Sequence, residues 1–277
     1  MSMDRARTAI RWQLLALVLL GTLAASAPAA DFHVSNKVYF KADDTPVVST
    51  TLFSSGRAYD FMDSPRETIV FDPGHDLIVI LDPHRQVKTQ ITTGEISTQI
   101  GRLREAARNH KKETVRELAG AKFAEAIDPK TGDLKLTNRW MIYEVATKPP
   151  ENPQVARQYA EFADWLTQLN ALLNPPELPF PRLALNEVLR QRQEVPLKIT
   201  RTTMSEQRRR KPLVVHSEHT FVVALSHEDQ QRMQEAHDQM HMFAEVTFDK
   251  YHQAKQEAET AAEESLKRAA AEGNAKR

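Results

Sequence analysis

Between residues 32 and 91 the apolar positions come in short runs of Val, Ile, Leu, Phe, Tyr and Thr. Turn formers cut them at near-regular intervals: Ser54-Ser55-Gly56, Asp63-Ser64-Pro65, Asp72-Pro73-Gly74 and Asp82-Pro83-His84. Runs of that length between such breaks predict an antiparallel β meander, with strands over 32–40, 47–53, 57–62, 67–72, 77–82 and 86–91. Two turns nearly repeat, at 71–75 and 81–85. Each puts Pro after Asp, where its fixed φ suits the second position of a type I turn and the carboxylate can cap the turn. The run Leu77 to Leu81 is apolar at every position, so that strand is expected to be central and covered on both sides.

The period then changes. From Thr93 to about Leu118 the apolar residues Ile96, Ile100, Leu103, Ala107, Val115 and Leu118 fall three or four apart, predicting helix with an interruption near Asn109-His110-Lys111. A hairpin follows: 121–127, a turn at 128–133, and one strand over 134–147. Asn152 as N-cap and Pro153 at the first helical position start a helix whose stripe is Val155, Tyr159, Phe162, Leu166, Leu169 and Leu173. A proline-rich strap at 175–181 leads into a short helix at 182–191.

A second hairpin is expected from 195–204 and 213–225. On its second strand Leu213, Val215, Ser217, His219 and Phe221 share one face. Ser226 and Asp229 form a capping-box-like start to the last helix. The stripe Met233, Ala236, Met240, Ala244, Phe248 and Tyr251 reads as one uninterrupted rod, solvated beyond Gln253. The fold class expected is α+β: an antiparallel meander, curved as a half-barrel, packed against amphipathic helices, with a long C-terminal helix.

Arg5, Arg7 and Arg11 precede an apolar run to Ala25 and the small residues Ser26-Ala27-Pro28-Ala29-Ala30. This is the pattern of a cleaved secretory signal peptide, too short for a membrane anchor. The expected organisation is a leader over 1–30, a single domain over 31–252 with a helical insertion at about 152–191, and a solvated helical tail over 253–277. Export ends in the periplasm or the medium. The chain has no Cys, so neither a disulfide nor a thiol-linked lipid is available, and no transmembrane helix is expected in the mature chain. Formal charge is 37 basic against 37 acidic residues. Three Arg and one Asp leave with the leader, which argues against nucleic acid as a partner.

Candidate chemistry is thin. His237 and His241 lie one helical turn apart, the spacing by which a helix presents two metal ligands, though Asp238 stands where a metalloprotease helix carries Glu and no third ligand is specified. His216 and His219, three apart on a strand, point to opposite faces, and no nucleophile is identifiable for a His-Glu dyad. Arg208-Arg209-Arg210-Lys211 is read as a solvated hairpin loop, with anionic lipid or polymer contact as the alternative. Asp43-Asp44 and Glu263-Glu264 lack the buried, spaced arrangement of glycoside hydrolases. No catalytic residue, cofactor or resident metal is assigned.

The phrases TTLFSSGRAYDF, ETIVFDP and DLIVILDPHRQVKTQI, behind a cleaved leader, resemble exported bacterial proteins of the lipoprotein-carrier type (LolA-like). The likeness covers mainly residues 31–91, with weaker support from the hairpin at 195–225, and implies an open half-barrel wrapped over helices. The expected function is that of a non-enzymatic envelope protein whose curved sheet holds a lipid or lipoprotein acyl chain. Phe53, Tyr59, Phe61 and Phe71 are the ligand-binding candidates. The alternatives are a structural protein meeting an envelope partner through its helices, and a metal-dependent enzyme using His237 and His241.

Overall fold

The computed structural model describes residues 29–40, 45–175, 177–205 and 211–275. Nearly all of the expected leader, Asp43-Asp44, and Arg208 to Arg210 lie outside the described residues. The described residues build one open, mostly antiparallel twelve-stranded sheet with six helices, an α+β fold.

Six strands form the first meander: β1 (Phe32–Tyr39), β2 (Val47–Ser54), β3 (Arg57–Met62), β4 (Glu67–Asp72), β5 (Leu77–Asp82) and β6 (Val87–Thr92). The β2–β3 turn needs positive φ at both central residues, which Ser55 (φ 52°) and Gly56 (φ 79°) supply. At the β5–β6 turn the Asp82 carboxylate accepts from the Arg85 amide at 2.9 Å, the cap expected from the Asp-Pro pattern. Helix α1 (Thr93–Arg108) starts at a Thr92/Glu95 capping box, and α2 (Glu113–Gly120) follows.

The second meander is β7 (Ala124–Ile127), β8 (Leu134–Thr137), β9 (Met141–Lys148), β10 (Val195–Thr203) and β11 (Leu213–Val222), with α3 (Pro153–Leu173) and α4 (Phe180–Arg192) between β9 and β10. The single strand expected over 134–147 is therefore two. The Asn138 side chain accepts from the Trp140 and Met141 amides, turning the chain back on itself. The two meanders fuse where β11 pairs with β1, giving the order β12-β6-β5-β4-β3-β2-β1-β11-β10-β9-β8-β7.

The last helix is also divided. Helix α5 (His227–Met242) opens on the Ser226/Asp229 capping box, as the sequence implies. It then stops, and Ala244–Glu245 (β12) pair in parallel with β6 before α6 (Phe248–Ala275) begins. Phe243 is extended, and the amides of Ala244 and Val246 donate to the Gln86 and Lys88 carbonyls. The 3.6-residue period runs through this break because Ala244, Phe248 and Tyr251 keep the same spacing, but the strand bonds at the sheet edge win locally. The consequence is that α5 and α6 serve different sides of the sheet.

Alternation along each strand gives the sheet two faces. On the inner face Phe32, Phe53, Phe71, Ile78 and Ile91 meet Ile96 and Ile100 of α1, Phe162 of α3 and Tyr251 of α6. Phe32 stacks on Phe53 with ring centroids 4.1 Å apart, and Phe162 meets Phe53 edge-on at 5.6 Å. Farther along, Leu134, Tyr143, Val145 and Ile199 meet Leu185 and Leu189 of α4. On the outer face Leu52, Tyr59, Phe61, Val70, Val79 and Leu81 are covered by Ala236, Met233 and Met240 of α5. Strand β5 is thus covered on both sides as expected, though it sits third from an edge.

Candidate functional site

Two features of the inner face stand out: a row of polar side chains between its apolar cores, and a strip of half-buried and exposed apolar side chains outside those cores.

The polar row crosses four strands. Cross-strand pairing places His219 opposite Asn36, Asn36 opposite Ser49, and Thr51 opposite Asp60. The hydrogen bonds run one way. Ser217 Oγ lies 2.9 Å from His219 Nε2, and His219 Nδ1 lies 2.8 Å from Asn36 Oδ1. Asn36 Nδ2 donates to Thr51 Oγ1 at 3.0 Å and to Ser49 Oγ at 3.2 Å, and Thr51 Oγ1 donates to Asp60 Oδ1 at 2.7 Å. Since Asn36 Oδ1 can only accept, the proton of His219 belongs on Nδ1, leaving Nε2 to accept from Ser217.

Ser217, His219 and Asn36 have the connectivity of a nucleophile, base and orienting amide. The electrostatics of the site oppose that use. Burial, with a further push from the Arg182 charge, lowers the His219 pKa to about 3, far below the range in which a general base is effective at neutral pH. Burial also pushes Asp60 up to about 6, against the hydrogen bonds from Thr51 and Ser49 that favour its charged form. As a set of mutually satisfied polar groups, the row meets the requirement that buried polar atoms find partners.

The strip lies beside this row. Val38 is paired with Val47 on one side and Ser217 on the other, and Leu213 and Val215 continue the inward phase of Ser217. Phe40 follows at the bend just past β1. None of these five belongs to the three cores. Phe40 is 52% exposed, Leu213 55% and Val47 36%, while Val38 and Val215 are half-buried. The helical layer therefore stops short of this end of the central strands.

Cations border the strip. Arg201 sits directly across from Val215, ion-paired with the exposed Glu177 and close against the Tyr143 hydroxyl. Burial works against its charge, but Glu177 and Tyr143 outweigh that and raise its pKa. Arg182 of α4 donates through Nε to Asn186 Oδ1 at 2.8 Å. Its charge reaches Tyr143, Tyr159 and His219. Among the described residues no carboxylate pairs with it.

The residues singled out in the sequence fall elsewhere. Phe53 and Phe71 are buried on the inner face under Phe162 and Trp165. Tyr59 and Phe61 are buried on the outer face, Phe61 beneath the Arg232 guanidinium. The four thus divide between two cores. His237 and His241 are exposed on α5 with ring centroids 4.7 Å apart. Among the described residues no group of three or more His, Cys, Asp or Glu converges to hold a metal.

His237 and Tyr59 do help line an open groove of about 730 Å³ between α5 and the β2–β3 and β4–β5 turns, where Arg57 pairs with Asp72 at 2.7 Å. His216 and His219 lie on opposite faces, as their spacing requires. The nucleophile partner for His219 was not evident from sequence, yet Ser217 stands two residues away in the same inward phase. No protein-family model matches this chain, and no curated protein matches it in sequence. Among the described residues no helix is long and apolar enough to cross a membrane.

Proposed function

We propose that this is an exported, non-enzymatic envelope protein that holds an apolar chain on the unroofed strip of its inner face. The observation that carries the reading is the strip itself: Val47 and Leu213 stand in solvent on the inner face, with the exposed Phe40 just past β1, whereas Phe32, Val34 and Phe53 on the same strands are buried in the core with the helices. Exposed apolar side chains are ordinary when scattered singly, whereas a contiguous set marks a binding surface. The LolA-like resemblance of residues 31–91 points the same way.

The test is mass spectrometry of organic extracts from the purified mature protein, together with titration of a fluorescent fatty acid. A stoichiometric lipid, lost in a Phe40→Ser/Leu213→Ser variant that melts at the parent temperature, supports the reading. A clean extract with no fatty-acid binding overturns it.

One observation favours a second reading, a contact made through α6. That helix is pinned at its start, where the Tyr251 hydroxyl and Lys255 Nζ both reach the buried Glu67 carboxylate. Beyond Lys255 its described side chains are exposed. Removing residues after Ala258 is expected to leave the melting temperature unchanged while abolishing recovery of an envelope partner by pull-down. Equal recovery from the shortened chain rules this out.

A further inference from the structure

Resting on the reading of the strip as a binding surface, we infer that its occupant is a single-chain amphiphile with a carboxylate head, the chain over Phe40, Val38, Val47, Leu213 and Val215 and the head at Arg182 and Arg201.

Charge complementarity decides the head. A cation that is partly withdrawn from water and has no carboxylate partner carries an uncompensated desolvation cost. Arg182 is in that position among the described residues. It is half-buried and bonded to the neutral Asn186; its charge is felt by Tyr143 and Tyr159, where Glu177 and Asp60 act only at a distance, and by His219, where no acid opposes it. Arg201 is the second donor. It stands across the ladder from Val215, at the border of the apolar strip, and its partner Glu177 is an exposed carboxylate on the segment between α3 and α4. A ligand carboxylate can take the place of Glu177 or share the guanidinium with it. Paired guanidiniums offer planar forks that match a carboxylate in two-point contact.

Geometry decides the tail. The strip crosses only β11, β1 and β2, so its outer strands are about 10 Å apart at the usual strand spacing of about 4.8 Å. That breadth suits one hydrocarbon chain. The polar row of Ser217, His219 and Asn36 bounds it on the inner side. Its hydrogen bonds are already satisfied internally, so it offers the ligand no head-group site of its own.

The test compares dodecanoate with dodecanol on the full-length mature protein, by isothermal titration calorimetry at neutral pH. The two probes share a tail and differ in charge. Charge-assisted hydrogen bonds contribute enough for dodecanoate to bind about tenfold or more tightly. Arg182→Gln keeps an amide near Asn186 and Tyr159 but removes the charge. It is expected to bring dodecanoate down to the affinity of dodecanol while leaving dodecanol unchanged. Arg201→Gln is the second variant, needed if the first fails to fold, and is expected to act in the same direction. Glu177→Gln frees Arg201 and is expected to tighten dodecanoate only.

Equal affinity of the two probes for the parent protein overturns the head-group assignment while leaving the strip as a binding surface. If neither probe binds, the strip reading falls as well. Tighter binding of a single-chain phosphate such as lysophosphatidate than of dodecanoate overturns the choice of carboxylate.

Discussion

The inner face of the sheet holds two regions built from the same strands with different fates. Toward one end β1 and β2 carry Phe32, Val34 and Phe53, all 2% exposed or less, locked against Phe162 and its neighbours. Toward the other end the same strands carry Val38 and Val47, with Phe40 just past β1, which are half-buried or exposed and lie outside the three cores. Alternation of apolar residues is equally regular in both. Whether a strand face becomes core or surface is set here by how far the helical layer reaches, and not by the strand sequence.

Substitutions can break that comparison. The largest effect is expected from Phe162→Ala, which removes the ring that Phe53 and Phe71 pack against. Emptying such a site costs about 3–5 kcal/mol, read as a lower urea midpoint, and a loss under about 1 kcal/mol would show that the roof is not what stabilises this half.

The polar row between the two regions gives an intermediate effect that depends on pH. In the unfolded chain His219 titrates near 6.5, whereas in the fold its pKa is about 3. Between those values the unfolded state binds more protons, so stability falls as pH drops through the window. Asp60 has the opposite sign. Its folded pKa of about 6 exceeds the ordinary value of 3.8, so its contribution is full below about 3.8 and is lost as pH rises through 6. His219→Gln is therefore expected to flatten the acid-side decline, and Asp60→Asn to remove the opposing term. Urea midpoints from about pH 4 to 8 check both, and an unaltered profile in His219→Gln means the ring is solvated.

The smallest effect is expected in the strip. Phe40→Ser and Leu213→Ser should each change stability by no more than about 0.5 kcal/mol, as exposed positions do, while weakening any bound chain. A loss of 2 kcal/mol or more at either would mean that the strip is covered within the chain.

Most of the meander was legible because it is local. Turn residues such as Ser55-Gly56 and the Asp82 cap fix each strand's ends, and alternation fixes its faces. The division of the last helix was not legible, since Ala244, Phe248 and Tyr251 preserve helical spacing across β12. The polar row was half-legible. The inward phase of Ser217 and His219 can be read from β11 alone, but Asn36 joins them only because β11 pairs with β1, a contact between distant parts of the chain that no local pattern encodes. Arg201 carried a weak signal, a charged residue in the same phase as the inward-facing Ile199. Arg182 carried none, because its lack of an acidic partner among the described residues is a property of the packed site.

The seam between the two meanders has a consequence for assembly. Strand β1 is made first, yet its second neighbour, β11, does not exist until the chain has been extended to Val222. Until then one side of β1 shows open amides and carbonyls, the kind of template on which extended chains stack. Slow chain extension would keep that edge open longest, so the step most exposed to aggregation is the wait for a late strand. A chaperone that shields Phe32–Tyr39 would protect the nascent sheet where it is most vulnerable.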